Sequence, residues 1–287
     1  MTTITTPPTV SEAGVGHATF PPAPQVGAGF RVATAQAARR TVLQYARTPQ
    51  LLVLPTIMGV LFLFLFRYIF GGAIDTGRDL DYVDFLVPGF LVQTILWTGM
   101  NTPAGVAEDG ASGVYDRFRS LPIPRAAVVA GRSLADGALI SWTLLVTAAF
   151  GVAVGFRTHA EVGPILLACA LMLLASYVLT WVFIALGLVA GNGQAAQGMS
   201  TLVVVPFAFV SSSFVPVESM PGWMQPFAAN QPITVMINAV RSLMLGGTDA
   251  AGIGHSTAYW VALSLAWCAG ILAVFATVAV ARFARTR

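Results

Sequence analysis

The residue types that most often carry catalysis are scarce and scattered in this chain of 287 residues. His17, His159 and His255 stand far apart, and neither an H-E-x-x-H nor a G-x-S-x-G motif occurs. All fifteen basic residues are arginine, so the sequence holds no P-loop, which requires a lysine. The two cysteines lie inside apolar runs, without a metal-binding or redox spacing. We therefore expect no catalytic residue, no metal site and no cofactor bound by this chain.

Polar side chains recur every four residues in one apolar segment, at Gln93, Trp97 and Asn101. Residues four apart lie on one face of a helix. Polar groups in hydrocarbon need a partner or a cavity. This face therefore fits two roles, the lining of a transport pathway or hydrogen bonding between helices. The spacing alone leaves both roles open.

A second candidate face follows Pro206, a residue that can kink a helix. Phe207, Val210, Ser211 and Phe214 would share one side of a helix there. Aromatic residues at this spacing more often pack between helices than contact a substrate. We keep both roles open for this face too.

Charged residues gather in one segment between two long apolar runs. They are Glu108, Asp109, Asp116, Arg117, Arg119, Arg125, Arg132 and Asp136. Because a charge at the bilayer centre costs several kcal/mol, we expect residues 108–125 at the water-exposed surface. Residues 116–121 favour a short helix, which the prolines that follow would end. Such a helix suits contact with a cytoplasmic partner, whereas the alternative is a solvated loop. The spacing of Arg132 and Asp136 predicts a local ion pair.

The composition indicates an all-α polytopic membrane protein. Apolar residues make up 56% of the chain and charged residues only 9%, and the mean hydropathy is +0.76. The net charge of +3 is too small to indicate binding to nucleic acid. Six apolar runs approach the length needed to cross a bilayer. The predicted transmembrane helices cover residues 51–70, 85–107, 126–155, 163–190, 199–214 and 258–280.

The placement of arginine predicts the orientation of these six helices. If both termini are cytoplasmic, eleven of the fifteen arginines lie on the cytoplasmic side. The excess of positive charge in cytoplasmic loops favours this topology. We therefore expect a multi-pass protein of the cell membrane, with a transmembrane domain over residues 49–287.

Three further segments have a distinct character. The composition of residues 1–29, rich in Thr, Pro, Ala and Gly, predicts a disordered cytoplasmic tail. Residues 30–48 predict a basic amphipathic helix on the membrane surface, although they could also be a polar leader to the first transmembrane helix. Residues 215–247 contain two semi-apolar pieces, each too short to span a bilayer. We interpret them as a helical hairpin that re-enters the membrane from the outer face.

Two sequence signatures resemble those of a known family. The segment EDGASGVYDRFRSLPIPRAAVVAGRSLAD, residues 108–136, resembles the E-x-x-x-G…R-x-R-x-L-P pattern of membrane (permease) subunits of type-2 ATP-binding-cassette exporters. The closest subgroup is the daunorubicin-resistance type. Residues 211–247, SSSFVPVESMPGWMQPFAANQPITVMINAVRSLMLGG, look like the second signature of that family. The resemblance covers about residues 30–285.

The resemblance implies partners and residue roles. Two such subunits, identical or paralogous, would form a dimer and pair with two separate ATPase subunits that bind ATP and Mg. Residues 30–47 would be the connecting helix, and residues 108–125 would include the coupling helix seated on the ATPase. The implied coupling residues are Glu108, Asp116, Arg117, Phe118, Arg119, Leu121, Pro122 and Arg125. The implied pathway residues are Gln93, Trp97, Asn101, Phe207, Ser211 and Phe214.

The function that follows is export of a bulky amphipathic compound, such as a lipid, a polyketide or a drug, powered by a partner ATPase. Two alternatives remain at this stage. A self-sufficient secondary carrier or channel would need a buried coupling-ion site, and few charges lie at mid-membrane depth. A membrane scaffold that only recruits an ATPase is the third hypothesis.

Overall fold

The computed structural model of the protein describes residues 29–70, 81–114 and 124–285, and it is helical throughout these ranges apart from loops and turns. The helices are α1 (Phe30–Arg47), α2 (Gln50–Leu65), α3 (Tyr82–Gly99), α4 (Thr102–Ala111), α5 (Arg125–Ala153), α6 (Val162–Val189), α7 (Gly193–Phe209), α8 (Gln225–Asn230), α9 (Pro232–Met244), α10 (Thr248–Ala251) and α11 (Thr257–Arg285). A π-helical turn, Phe66–Phe70, extends α2. The predicted all-α class is confirmed, and the predicted tail, residues 1–29, lies almost entirely outside the described residues.

Five helical stretches in the described residues are long and apolar enough to cross a membrane. They are Gln50–Ile69, Tyr82–Ala111, Ala126–Ala153, Val162–Val189 and Thr257–Phe283. The predicted transmembrane helices at 126–155 and 163–190 agree with α5 and α6 within two residues at each end. Long uninterrupted apolar runs locate such helices well, because the bilayer thickness sets their length.

The predicted fifth transmembrane helix, 199–214, differs from the structure at both ends. Helix α7 begins at Gly193, where the side chain of Asn192 accepts a hydrogen bond from the backbone N–H of Ala195. This is the usual N-cap arrangement, which starts the helix six residues earlier than predicted. Helix α7 ends at Phe209, so residues 210–214 are not helical. Ser211 and Phe214 therefore do not share a helix face with Phe207.

The predicted second transmembrane helix is interrupted. A break at Met100 and Asn101 separates α3 from α4. Pro103 stands in the first turn of α4. Proline fits there because the first backbone N–H groups of a helix have no acceptor within the helix. The backbone at Met100 and Asn101 stays in the right-handed helical region, so Tyr82–Ala111 still forms one apolar stretch.

Helix α3 is the centre of the bundle. It packs against α2, α5, α6, α7 and α9. Of its eighteen residues, only Trp97 is more than marginally exposed. A helix that is apolar on every side is typical of a protein core or a membrane-spanning segment, and α3 has that composition. By contrast, α2 lies at the periphery, and Leu63 is its one buried residue.

Helix α1 has two different faces. Its buried face consists of small residues, Ala33, Thr34, Ala37 and Thr41, and packs on α5. The approach is close, since a Cβ on Gly131 of α5 would lie 2.6 Å from the carbonyl oxygen of Thr34. The larger apolar side chains of α1, among them Val32, Val42 and Leu43, are exposed. The predicted helix is thus present, and small residues hold it to the bundle.

Helices α8 and α9 correspond to the two short pieces of the predicted hairpin. Every residue of α9 from Ile233 to Met244 is buried, and α9 packs against α3, α6 and α11. Helix α8 is shorter, and three of its six residues are exposed. Helix α9 is therefore part of the core of the bundle.

We expect Gly187→Ala to destabilise the protein by about 1–3 kcal/mol, the usual cost of overpacking. A Cβ on Gly187 of α6 would lie 2.7 Å from the carbonyl oxygen of Pro103 in α4, so the two helices would have to separate. Gly191→Ala is a matched control, because a Cβ there meets nothing within 4 Å. Thermal unfolding in detergent should show a lower Tm for the first variant only. Equal Tm values would contradict the close approach.

Candidate coupling region and transport pathway

A cluster of ion pairs joins α1, α4 and α5 where α4 ends. Asp109 accepts hydrogen bonds from Arg40 Nη2 at 2.9 Å and from Arg132 Nη1 at 3.0 Å. Arg132 Nε also donates to both oxygens of Asp136, at 2.9 and 3.1 Å. Asp136 is fully buried, and the side chains of Asp109 and Arg132 are each only 12% exposed. We call these four residues, together with Tyr45, the ion cluster. It confirms the ion pair predicted between Arg132 and Asp136.

Tyr45 completes the ion cluster from α1. Its hydroxyl donates a hydrogen bond to Asp136 Oδ1, so that Asp136 is held by groups from two helices. Burial raises the pKa of Tyr45, and the negative charge of Asp136 raises the pKa further. The hydroxyl therefore stays protonated near neutral pH and remains a donor to Asp136.

The ion cluster joins the two ends of the predicted coupling segment. Residues 108–125 begin within α4 and end at the first residue of α5. Asp109 and Arg132, one near each end, are bonded directly to each other. The predicted coupling residues between them, Asp116, Arg117, Phe118, Arg119, Leu121 and Pro122, lie outside the described residues. Arg125 is the first residue of α5.

Glu108 lies beside the start of α7. Its side chain is exposed, and a Cβ on Gly193 would be 3.0 Å from Glu108 Oε1. A carboxylate near the N-terminus of a helix is favoured by the partial positive charge of the free backbone N–H groups. Glu108 thus lies where the end of α4 meets the start of α7.

Two of the predicted pathway residues, Trp97 and Asn101, line a cavity between α2 and α3. Its volume is about 460 Å³. Leu51, Leu54 and Phe62 contribute the α2 wall. The volume lies within the range of ligand-binding pockets. A cavity at this place suits the predicted pathway.

Gln93, one turn before Trp97, lies away from that cavity. It is fully buried, and its Oε1 accepts a hydrogen bond from Ser213 Oγ at 3.0 Å. Ser213 Oγ in turn lies 2.7 Å from Ser211 Oγ. The predicted Gln93 and Ser211 are thus joined through Ser213 in one buried polar chain. These hydrogen bonds join α3 to the segment after α7. In this conformation Gln93 and Ser211 therefore have the second of the two roles considered for them, hydrogen bonding between parts of the bundle.

The two aromatic residues of the predicted second face separate. Phe214 is buried and stacks on Phe66, with ring centroids 4.3 Å apart. Phe207 lies near Phe227 of α8, at 5.8 Å between centroids, and lines a different cavity. The six predicted pathway residues therefore occupy four environments. Their role in transport stays a prediction.

Comparison with known proteins identifies the family. Residues 33–245 match the model of the ABC-2 type transporter family. This chain belongs to the ABC-2 type transporter family. It is 34% identical over 239 residues, 83% of this chain and 81% of the relative, to the daunorubicin resistance ABC transporter permease protein DrrB1 of Streptomyces coeruleorubidus. The resemblance inferred from residues 108–136 and 211–247 is confirmed.

More distant relatives agree with this assignment. A probable doxorubicin resistance ABC transporter permease protein, DrrC of Mycobacterium tuberculosis, is 23% identical over 72% of this chain and 75% of its own length. The inner membrane transport permease YadH of Escherichia coli is 26% identical over 70% of this chain and 77% of its own length. The ABC-2 chain is therefore a multi-pass protein of the cell membrane, homologous to permease subunits of ABC transporters.

Sequence reasoning missed the role of Arg241 of α9, which lies within the predicted re-entrant hairpin, residues 215–247. Arg241 is only 1% exposed. Its guanidinium donates to the carbonyl oxygen of Phe85 at 3.0 Å and to that of Ser212 at 2.8 Å, and it lies 3.8 Å from the centroid of the Phe85 ring. A Cβ on Gly89 would lie 2.7 Å from the carbonyl oxygen of Ser213, so α3 and this segment are in direct contact. An arginine in a short apolar helix already indicated a buried contact, since charged side chains at membrane depth usually face the interior of the bundle.

Proposed function

We propose that this ABC-2 chain is the transmembrane subunit of an ATP-driven exporter and that a separate ATPase drives it through residues 108–125. The main support for this proposal is the ion cluster. It bonds the two helices that enter and leave this segment, and it adds α1 to them. A partner that displaces the segment would therefore move three helices together.

Six transmembrane helices and cytoplasmic termini form part of the proposal. Helix α7 has seventeen residues, or about 25 Å at 1.5 Å per residue, which is at the short end of a membrane-spanning length. Counting it as the fifth of six transmembrane helices returns the C-terminus to the side of the N-terminus. The distribution of arginine then favours the cytoplasm for both. Helices α8 and α9 would form the re-entrant pair at the outer side.

The proposed cargo is a bulky amphipathic or hydrophobic compound. Support comes from the names of the relatives, which include resistance to daunorubicin and doxorubicin. The cavity between α2 and α3 adds support, since most of its wall is apolar and a few polar side chains, Thr94, Thr98 and Asn101, could orient a ligand. The proposed assembly has two ATPase subunits and two permease subunits, identical or paralogous.

ATP dependence tests the proposal. The chain is reconstituted in proteoliposomes with its cognate ATP-binding-cassette ATPase, and export of a hydrophobic fluorescent compound is followed with and without ATP. We expect flux only when both the ATPase and ATP are present. Full flux from the permease alone would refute the exporter. Flux driven by a proton gradient alone, and abolished by Asp136→Asn, would establish the secondary carrier instead.

A further inference from the structure

Residues 210–214, Val-Ser-Ser-Ser-Phe, follow α7 but are not helical. We call them the serine segment. Its last four residues are all buried. The segment lies directly on α3, because a Cβ on Gly89 would be 2.7 Å from the carbonyl oxygen of Ser213. Buried backbone N–H and C=O groups need hydrogen-bond partners, and this segment does not obtain them from a helix of its own.

Side chains of α9 supply partners for the backbone of the serine segment. Gln231 Nε2 donates to the carbonyl oxygen of Val210 at 2.7 Å. Arg241 Nη2 donates to the carbonyl oxygen of Ser212 at 2.8 Å, and Thr234 Oγ1 accepts a hydrogen bond from the backbone N–H of Ser212 at 3.3 Å. The spacing of residues 231, 234 and 241 places their side chains on one face of a helix. One face of α9 therefore replaces hydrogen bonds of the helical turn that α7 does not make.

The local sequence does not explain why α7 ends at Phe209. Neither glycine nor proline occurs between Phe207 and Val215, and serine is only moderately unfavourable within a helix. Helix α7 has 17 residues, which is at the short end of a membrane-spanning length. Adding residues 210–214 would lengthen it by about 7.5 Å at 1.5 Å per residue. The contacts with α9 therefore hold these residues out of a helix that they could otherwise extend.

Two buried amide groups are only half bonded in this arrangement. Gln93 Oε1 accepts a hydrogen bond from Ser213 Oγ, but Gln93 Nε2 has no acceptor within the described part of the chain. Gln231 Nε2 is bonded, whereas its Oε1 has no donor among the same residues. Buried polar atoms without a partner are rare and costly. The observed arrangement thus carries a cost that a rearrangement of the serine segment could relieve.

The serine segment lies at one end of the cavity between α2 and α3. Phe62 is the last residue of α2 in the cavity lining, and Phe90 is the first residue of α3. The ring of Phe214 lies 6.3 Å from the ring of Phe90, between centroids. It also stacks on Phe66, one turn beyond Phe62 in α2. Phe214 therefore fills the space between α2 and α3 just beyond this end of the cavity.

We propose that the serine segment is a gate at this end of the cavity, and that it opens when it leaves α9 and extends α7 as a further helical turn. Opening exchanges the bonds from Gln231 and Arg241 for backbone bonds within α7. It separates Phe214 from Phe66 and exposes Gln93 to the pathway. That the ATPase drives this opening rests on the proposed function, whereas the existence of two arrangements does not.

The first test weakens the contact with α9 and needs no ATPase. The full-length chain carries 4-fluorophenylalanine at position 214, and its resonance is followed by fluorine NMR in lipid nanodiscs. Gln231→Met removes the bonds to the carbonyl oxygens of Phe207 and Val210. We expect a second resonance, relaxed by a water-soluble gadolinium chelate, with about tenfold its population in the wild type, since the lost bonds hold the gate closed.

Gln225→Met is the matched control, because the amide of Gln225 donates to the carbonyl oxygens of Glu218 and Met220, near α8. It should give the wild-type spectrum. A fluorinated Phe183, buried in α6, should show one resonance throughout. A second resonance that is absent from Gln231→Met, or equally strong in Gln225→Met, would overturn the gate. If Gln231→Met also alters the signal at Phe183, its fold is damaged, and the wild-type chain in the second test decides.

The second test adds the cognate ATPase, ATP and vanadate to the wild-type chain. We expect the second resonance at Phe214 to gain at least about tenfold in population, with no change at Phe183. ATP hydrolysis and vanadate trapping are measured in the same sample. If both occur and Phe214 keeps a single resonance, the gate is overturned and the exporter stands. If the chain neither binds nor stimulates the ATPase, the proposed function fails, and Gln231→Met alone decides whether the serine segment opens.

Discussion

Asp136→Ala is expected to lower the free energy of unfolding by about 3–5 kcal/mol, because removing one partner of a buried ion pair leaves the other charge uncompensated. Asp136 is fully buried and accepts hydrogen bonds from Arg132 and Tyr45. Its removal weakens the packing of α1 on α5, so we also expect transport to fall. The measurement is thermal unfolding in detergent, followed by flux in proteoliposomes.

Asp249→Ala provides the matched control, because Asp249 is an exposed carboxylate of α10. Its Tm should equal that of the wild type. The double variant Arg132→Met/Asp136→Leu should lose less stability than the two single changes added together, because it removes both charges of one pair. A Tm for Asp136→Ala that matches the control would show that the ion cluster contributes nothing to stability.

Arg241→Met is expected to destabilise the protein by about 2 kcal/mol or more. The variant keeps an apolar stem but loses the bonds to the carbonyl oxygens of Phe85 and Ser212 and the contact with the Phe85 ring. Hydrogen bonds from a charged donor each contribute about 1.5–3 kcal/mol, and a desolvated cation–π contact about 2 kcal/mol. Part of this loss of stability is offset, because methionine avoids the cost of desolvating the guanidinium.

Two comparisons make the Arg241 prediction specific. Arg241→Lys keeps the charge but not the forked donor geometry, so its Tm should lie between those of the wild type and Arg241→Met. Arg47→Met, at an exposed position of α1, should leave Tm unchanged. If Arg241→Met were as stable as Arg47→Met, then the contacts of Arg241 would not hold α9 to α3.

Local signals explain what the sequence could predict. Helices α5 and α6 follow from their apolar runs, and α9 follows from its length and the proline at its start. The early start of α7 was also readable, since Asn192 is a common N-cap residue. Its early end was not, because the free carbonyl groups of Phe207 and Val210 are bonded by Gln231, more than twenty residues away.

The candidate sites depend on contacts between distant residues, which a single sequence does not reveal. Gln93 was correctly singled out as polar in an apolar helix, but its partner Ser213 is 120 residues away. Asp109 and Arg132 were both seen as charges of one segment, whereas the bond of Asp109 to Arg40 spans 69 residues. The family signatures therefore indicated the class of protein, whereas the packing of α1 on α5 brings Arg40 to the charges of this segment.

Charge reversal in the coupling segment tests directly whether residues 108–125 couple the permease to ATP hydrolysis. The chain is coexpressed with its cognate ATPase as wild type, as Arg117→Glu/Arg119→Glu, and as the control Arg285→Glu/Arg287→Glu, which changes the net charge equally. Copurification of the ATPase and ATP hydrolysis stimulated by a transported compound are measured. We predict that only Arg117→Glu/Arg119→Glu loses stimulation, by about tenfold or more, since reversed charges at an interface repel their former partners. Full copurification and full stimulation of Arg117→Glu/Arg119→Glu would contradict the proposal that residues 108–125 couple the permease to ATP hydrolysis.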